Sequence, residues 1–400
     1  MHQTRSGRVT FVNADIAGGR GSLRLAGSRI ASVSGAVSPG DLACAGDAVV
    51  DLRGDRLLPG LVNAHDHLQL NTLPALPGES RWHNAREWIS QVNLRRRSDP
   101  AFEACLACSR DERLLVGGLK NILSGVTTVA HHDPLYPFLT GQRFPTRVVT
   151  DYGWSHSLYI DGEQQVRNSC RGTPPGWPWI VHAAEGVDPE AADEFNRLDA
   201  LGCVGPNTLI VHGVALDRDQ SARLERAGAG LIWCPASNLH LFGRTAEVAG
   251  LARRGRVALG TDSRLSGSRD LLCELSTARE ITGMDEAMLE SMVTRDAAAL
   301  LRLTDRGTLS AGARADLLVL PAGMPLSSAT RADIRLVVLG GRALYADADY
   351  ARIMGSAAHW TAVSVDGRPK MLESGLAAAL SAAAAGESGV SISDLTWRAA

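Results

Sequence analysis

Between residues 57 and 305, short apolar runs rich in β-formers alternate with amphipathic, helix-like stretches, and this alternation limits the fold more than any other feature. Candidate strands end at Asn63, Ala130, Tyr152, Ala183, His212, Cys234 and Gly260. Several are nearly continuous in apolar residues, such as Thr208-Leu209-Ile210-Val211 and Arg256-Val257-Ala258-Leu259, as expected of strands covered on both faces. Helical patterns intervene, for example from Asp188 to Gly202 and from Asp217 to Gly228. Parallel strands joined by crossover helices follow from this order, and the α/β fold it predicts is a (β/α)8 TIM-like barrel with its working residues at the carboxyl ends of the strands. The stretch from Tyr152 to Ile180 yields one helix-like segment and the proline-rich Thr173-Pro174-Pro175-Gly176-Trp177-Pro178, so the barrel is expected to be irregular near strand 4.

Both ends of the chain read differently. Period-two segments broken by glycine, such as Gly7-Arg8-Val9-Thr10-Phe11-Val12-Asn13, occupy residues 1–56. The same texture returns at Ala315–Leu320 and Ile334–Tyr345, so a small β-sandwich built from both chain ends is expected. This divides the chain into residues 1–56, a barrel over 57–305, and 306–400, the last also carrying a strand-like Val363-Ser364-Val365 and an alanine-rich helix, Leu376 to Ala385. A formal charge of -2 and a pI near 6.6 supply no basic field for nucleic acid or a membrane surface, and point to a small-molecule partner. No apolar run approaches the ~20 residues of a bilayer span, and the seven scattered cysteines suit reduced thiols, so a cytoplasmic protein is expected. Cys105 and Cys108 form a C-x-x-C without a second pair, which fits a packed helix face better than a zinc cage.

The chemistry gathers where the strands end. His65 and His67 are spaced i, i+2, which places both imidazoles on one side of a strand. Alone the pair is equally well two core histidines, but His182, His212 and Asp262 also follow candidate strands. Each singly could cap a helix or complete a buried network. Five at one end of a barrel form a plausible metal and acid–base site instead.

With these residues in view, the chain resembles the amidohydrolase superfamily, in particular its mononuclear-metal, deaminase-like branch of cytosine, guanine, adenosine and S-adenosylhomocysteine deaminases and triazine hydrolases. The matching motifs are Pro59-Gly60-Leu61-Val62-Asn63-Ala64-His65-Asp66-His67, Gly125-Val126-Thr127-Thr128-Val129, His182-x-x-Glu185, His212, Pro235-Ala236-Ser237-Asn238, Gly260-Thr261-Asp262 and Gly312-Ala313-Arg314-Ala315-Asp316-Leu317. The resemblance implies that His65, His67, His182 and Asp262 bind one divalent metal ion, zinc or iron. It further implies that Asp262 takes a proton from metal-activated water, that His212 orients the hydroxide or stabilises the developing oxyanion, and that Glu185 relays a proton to the substrate nitrogen. The implied reaction is release of ammonia from a planar heterocycle or amidine, and the implied assembly is a homodimer.

Binuclear members of the superfamily bridge their metals with a carboxylated lysine from the fourth strand. Lysine occurs here only at Lys120 and Lys370, neither on that strand, so one metal is expected. For substrate binding, Gln69 (with Asn71) either contacts a polar heterocycle or fixes its loop, and Trp88 (with Trp82 and His83) lies in a long segment expected to cover the site. His131 and His132 are either substrate contacts, as in the similar segment of formiminoglutamate deiminases, or hydrogen-bonded support behind the metal. Asn238 is expected to face the pocket, with His240 and Arg244 as weaker candidates. Arg269 and Arg264 either grip a carboxylate or pair with acidic neighbours. The paired histidines and these arginines leave a second reaction open, hydrolysis of a formimino or cyclic amide bond. A catalytically silent scaffold is the alternative outside enzymology.

Overall fold

A computed structural model describes residues 8–35, 46–76 and 81–392. Cys44 lies outside these residues, and the six described cysteines are free thiols. Strands from both chain ends form one 11-stranded sheet. Arg8–Ile16, Gly19–Ala26, Arg29–Gly35, Ala48–Asp51 and Arg56–Pro59 come from the first part. Leu317–Leu320, Leu336–Leu339, Arg342–Ala346, Trp360–Val365, Arg368–Glu373 and Val390–Ile392 come from the last. The two halves meet where Arg56–Pro59 runs antiparallel to Leu317–Leu320. That pairing keeps 57–59 in the terminal sheet, so the change of sheet falls at Gly60 and not at the expected residue 57.

The barrel has eight strands: β1 (Leu61–Asp66), β2 (Val126–His131), β3 (Arg147–Val148), β4 (Gly153–Ser157), β5 (Trp179–Ala183), β6 (Thr208–His212), β7 (Gly230–Trp233) and β8 (Val257–Leu259). Strands β1 to β3 pair in parallel, as do β4 to β8, and a parallel bridge between Asp66 and Asp262 joins the first strand to the end of the last. The expected irregularity lies between β3 and β4. Only Val149–Tyr152 connect them, too few residues for a crossover helix, and no ladder links the two strands among the described residues.

β4 is the strand that the sequence pattern did not separate from its predecessor. It begins at Gly153, where a Cβ would sit 1.7 Å from Thr173 Oγ1, so close packing excludes the apolar side chain that would have advertised a strand. Inward alternation elsewhere is regular. Val62, Ile180, Leu209, Val211, Ile232 and Ala258 share one core cluster, while Leu61, Val181, Ile210, Leu231, Trp233 and Leu259 face the surrounding helices in another. Among those helices are α1 (Ala85–Ser98), α2 (Arg110–Leu123), begun by a Ser109/Glu112 capping box, α3 (Pro189–Ala200) and α4 (Pro235–Phe242). Among the described residues no helix is long and apolar enough to cross a membrane.

Candidate metal centre and active site

Local backbone irregularities aim the functional side chains. The pairing of β1 with β2 slips between Asn63 and Asp66. Beyond the slip His65 and His67 converge with ring centroids 4.9 Å apart, while Asp66 between them bonds to α2. Asp262 and His212 have φ of +52° and +74°, a region costly for non-glycine residues and typical of functional sites. At His212 the turn breaks the alternation that would otherwise send the imidazole outward with Ile210. Gly260 makes room for the convergence, since a Cβ there would lie 2.6 Å from that of His65.

Each imidazole is held through Nδ1, which leaves Nε2 as the atom open to a ligand. His67 Nδ1 donates to Asp133 Oδ2 at 2.7 Å, and His182 Nδ1 to the His156 carbonyl at 2.8 Å. His212 Nδ1 donates to Asn238 Oδ1 at 2.8 Å, with the amide oriented by its own bond to Thr245. His65 is fixed through a second histidine. His132 Nε2 donates to the Ser155 carbonyl at 2.9 Å, so its Nδ1 accepts from His65 Nδ1 at 3.2 Å. His65 Nε2 is then a buried lone pair with no hydrogen-bond partner.

A buried imidazole nitrogen without a hydrogen-bond partner fits a metal ligand. Asp262 Oδ1 lies 3.9 Å from His65 Nε2 and 3.8 Å from His67 Nε2, while its Oδ2 accepts from Ser237 at 2.8 Å and Ser266 at 2.6 Å. Ligand atoms of His65, His67 and Asp262 fall within 4.8 Å of one another, as do those of His65, His132 and His182. In the second group the Nδ1 of His132 is already spent on His65, so His132 supports a ligand. The remaining set, three imidazole nitrogens and a carboxylate, fits a borderline divalent ion such as zinc.

Electrostatics agree with this fit. Burial, reinforced by neighbouring histidines, pulls His65 and His182 well below the usual range and keeps them neutral, as ligation requires. Burial also pulls on His67, but Asp133, with Asp262 and Asp66, outweighs it and pushes the ring up to about 9. The negative charge around His67 therefore favours a cation there. Beside this centre, Glu185 Oε1 lies 3.4 Å from His212 Nε2. Burial, Asp262 and Glu194 push the Glu185 carboxyl well above its ordinary range, which favours its protonated form. Glu194 is itself raised to about 7 by burial, although it accepts from the Ala184 amide at 2.7 Å.

A narrow pocket of about 20 Å³ opens onto His182 and Glu185, walled by Asn84, Ile89, His156 and Tyr159. The segment following β1 closes over it, as expected from its length. Val187 N donates to the His83 carbonyl at 2.7 Å and Ala85 N to that of Glu185 at 3.0 Å, which stitches the start of α1 to the loop carrying Glu185. Trp82 anchors this segment in a satellite core with Leu73, Val92 and Phe102, and Trp88 packs against the same cluster. The sequence reading missed His156, which sits on β4 and stacks on His182 at 4.8 Å. The available signal was the Trp154-Ser155-His156-Ser157 run directly after Tyr152.

The side chains expected to touch substrate divide in two. Gln69 donates to Asp133, the partner of His67, at 2.8 Å, and Trp88 packs on the satellite core. The others have partners within the protein, which for His132 and the arginines is the structural alternative that the sequence left open. His132 lies behind His65, and His131 is wholly buried with its Nδ1 accepting from Leu68 N. Asn238 is equally buried and supports His212. Arg269 pairs with Asp366 at 2.8 Å and Arg264 with Glu387 at 2.6 Å, so both arginines bind the C-terminal part of the chain. From the His132 arrangement we expect His132→Phe to weaken zinc binding about 10- to 100-fold while the protein stays folded. Chelator competition checks this, and unchanged affinity would contradict it.

Comparison with known proteins follows the same lines. The model of the amidohydrolase family matches residues 180–369. A 5'-deoxyadenosine deaminase of Methanothermobacter thermautotrophicus is 26% identical over 82% of this chain and 90% of its own length. A 5-methylthioadenosine/S-adenosylhomocysteine deaminase of Nitratidesulfovibrio vulgaris is 29% identical over 77% of this chain and 83% of its own. Among solved structures, an atrazine chlorohydrolase from Arthrobacter aurescens complexed with zinc superposes with a TM-score of 0.67 at 17% identity, over 84% of this chain and 95% of that one. An adenosine deaminase from Xanthomonas campestris with bound zinc gives 0.66 at 19% identity, over 84% and 92%. Motif order, barrel and relatives converge on the amidohydrolase family, to whose members this chain is similar along most of its length.

Proposed function

We propose that this protein is a single-metal aminohydrolase that releases ammonia from an amino-substituted planar heterocycle, with adenosine-type nucleosides as the first class to test. One observation carries the reading: Glu185, whose carboxyl burial pushes well above its ordinary range, lies 3.4 Å from His212 and lines one pocket with His182, a proposed metal ligand. A divalent ion held by His65, His67, His182 and Asp262 would supply Lewis-acid activation of water at neutral pH. Asp262, its Oδ2 fixed by two serines, accepts the proton of the attacking water at Oδ1. Glu185 delivers its proton to the ring nitrogen next to the carbon under attack; the amino group takes the proton that Asp262 accepted and leaves as ammonia, while the hydroxyl proton returns to Glu185 as the carbonyl forms. His212, neutral because burial lowers its pKa and fixed by Asn238, stabilises the oxygen that gains charge. The relatives named as deaminases of 5'-deoxyadenosine and of 5-methylthioadenosine or S-adenosylhomocysteine support the nucleoside class.

The test is ammonia release from a panel of adenine nucleosides, pyrimidines, pterins, triazines and formimino compounds, using zinc-loaded protein. Stoichiometric ammonia from an adenosine-type nucleoside is the expected result. Substrate loss without ammonia, or inertness across the panel at full zinc content, would overturn the proposal. A homodimer and a cytoplasmic location form part of the same reading, and sedimentation and cell fractionation test them.

A further inference from the structure

On the side of the ligands away from the pocket lies a buried polar knot that the proposed reaction does not use. Lys120, one of two lysines in the chain, is fully buried on α2. Its Nζ donates to Asn71 Oδ1 at 2.8 Å, Thr261 Oγ1 at 3.0 Å and Asp66 Oδ2 at 3.2 Å, which uses all three ammonium protons. Asp66 is also fully buried and accepts from Asn121 at 2.8 Å, Asn63 at 3.2 Å and, at Oδ1, Asn71 at 2.8 Å. Asn63 further donates to Thr261 Oγ1 at 2.9 Å, and Arg264 N to Asn71 Oδ1 at 3.2 Å.

These partners come from separate stretches of chain. Asp66 lies between His65 and His67, Asn71 in the turn that follows them, and Thr261 immediately before Asp262. Burying an ion pair costs desolvation energy, and apolar residues of similar volume would often hold the same elements at no loss of stability. Apolar contact, however, does not fix direction. Three hydrogen bonds from one ammonium do, and their far ends are the strand ends that carry three of the four proposed ligands. The pairing also gives the buried Asp66 carboxylate an ammonium partner.

We propose that Lys120 is a positioning residue for the metal centre: it ties the end of β1 to the segment after β8 and thereby sets the spacing of His65, His67 and Asp262. This inference rests on the metal reading given above. It deepens that reading by assigning a role to a residue on a helix, outside every ligand motif.

Zinc dissociation constants for the wild type, Lys120→Met and Thr261→Val, measured by chelator competition, provide the test, together with the visible spectra of the cobalt-substituted proteins. Lys120→Met is expected to weaken zinc binding about 10- to 100-fold and to change the cobalt band intensities at temperatures far below its Tm. Thr261→Val removes one acceptor while leaving the ammonium in place. It is expected to weaken binding up to about tenfold, and it decides the matter if the lysine variant does not fold. Folded variants with wild-type zinc affinity and cobalt spectra, even with a lowered Tm, would overturn the inference while leaving the metal reading intact. A wild type that binds no zinc would overturn the metal reading, and the inference with it.

Discussion

Asp262→Ala is expected to abolish measurable ammonia release and to leave the purified protein with little zinc. In the proposed mechanism the carboxylate has two separate duties. One oxygen faces the Nε2 atoms of His65 and His67, while the other is tied to Ser237 and Ser266. Alanine therefore removes a metal donor and the proton acceptor together. Loss of the acceptor alone is worth about 10²- to 10⁴-fold in rate, before metal loss is added. Asp262→Asn separates the two duties, because it preserves shape while removing the charge. It should retain more zinc than alanine yet remain similarly inactive. Metal analysis beside the ammonia assay reads both quantities, and full zinc with full activity in Asp262→Ala would refute the assignment.

Glu185→Gln is expected to keep one zinc per chain and lose about 10²- to 10⁴-fold in kcat. Glutamine matches the carboxyl in size but has no acidic proton to deliver. In the wild type, burial, Asp262 and Glu194 hold that proton well above the ordinary carboxylate range. The sign follows directly: activity that needs the protonated form persists at low pH and falls as pH rises through the raised pKa. Glu185→Gln should lose this alkaline limb. A pH–rate profile of kcat, measured with metal content matched, checks it. An active glutamine variant with the alkaline limb intact would assign that limb to another group.

How much of this was legible in the sequence depended on distance along the chain. His65, His67, His182, His212 and Asp262 each lie at or just past the end of a strand, so a one-dimensional pattern suffices to find them. β4 was hidden because Gly153 packs against Thr173 where an apolar residue would have marked the strand, and His156 was hidden with it. The support of His65 by His132 spans 67 positions, and its direction depends on a carbonyl at Ser155. For Arg264 and Arg269 the sequence left a substrate grip and an acidic partner equally open, because their partners, Glu387 and Asp366, come from a terminal segment with no chemical pattern of its own. Lys120 mattered to the sequence argument as an absence from the fourth strand. Its bonds to Asp66 and Thr261 became visible only when α2 was placed behind β1.

Metal stoichiometry of the purified wild type, determined by mass spectrometry in parallel with ammonia release during zinc removal and return, tests the central claim most directly. The expected result is one zinc per chain, loss of ammonia release as a chelator removes it, and recovery on adding one equivalent back. Activity that survives complete removal of metal, or that requires two equivalents to return, would contradict a single-metal centre built on His65, His67, His182 and Asp262.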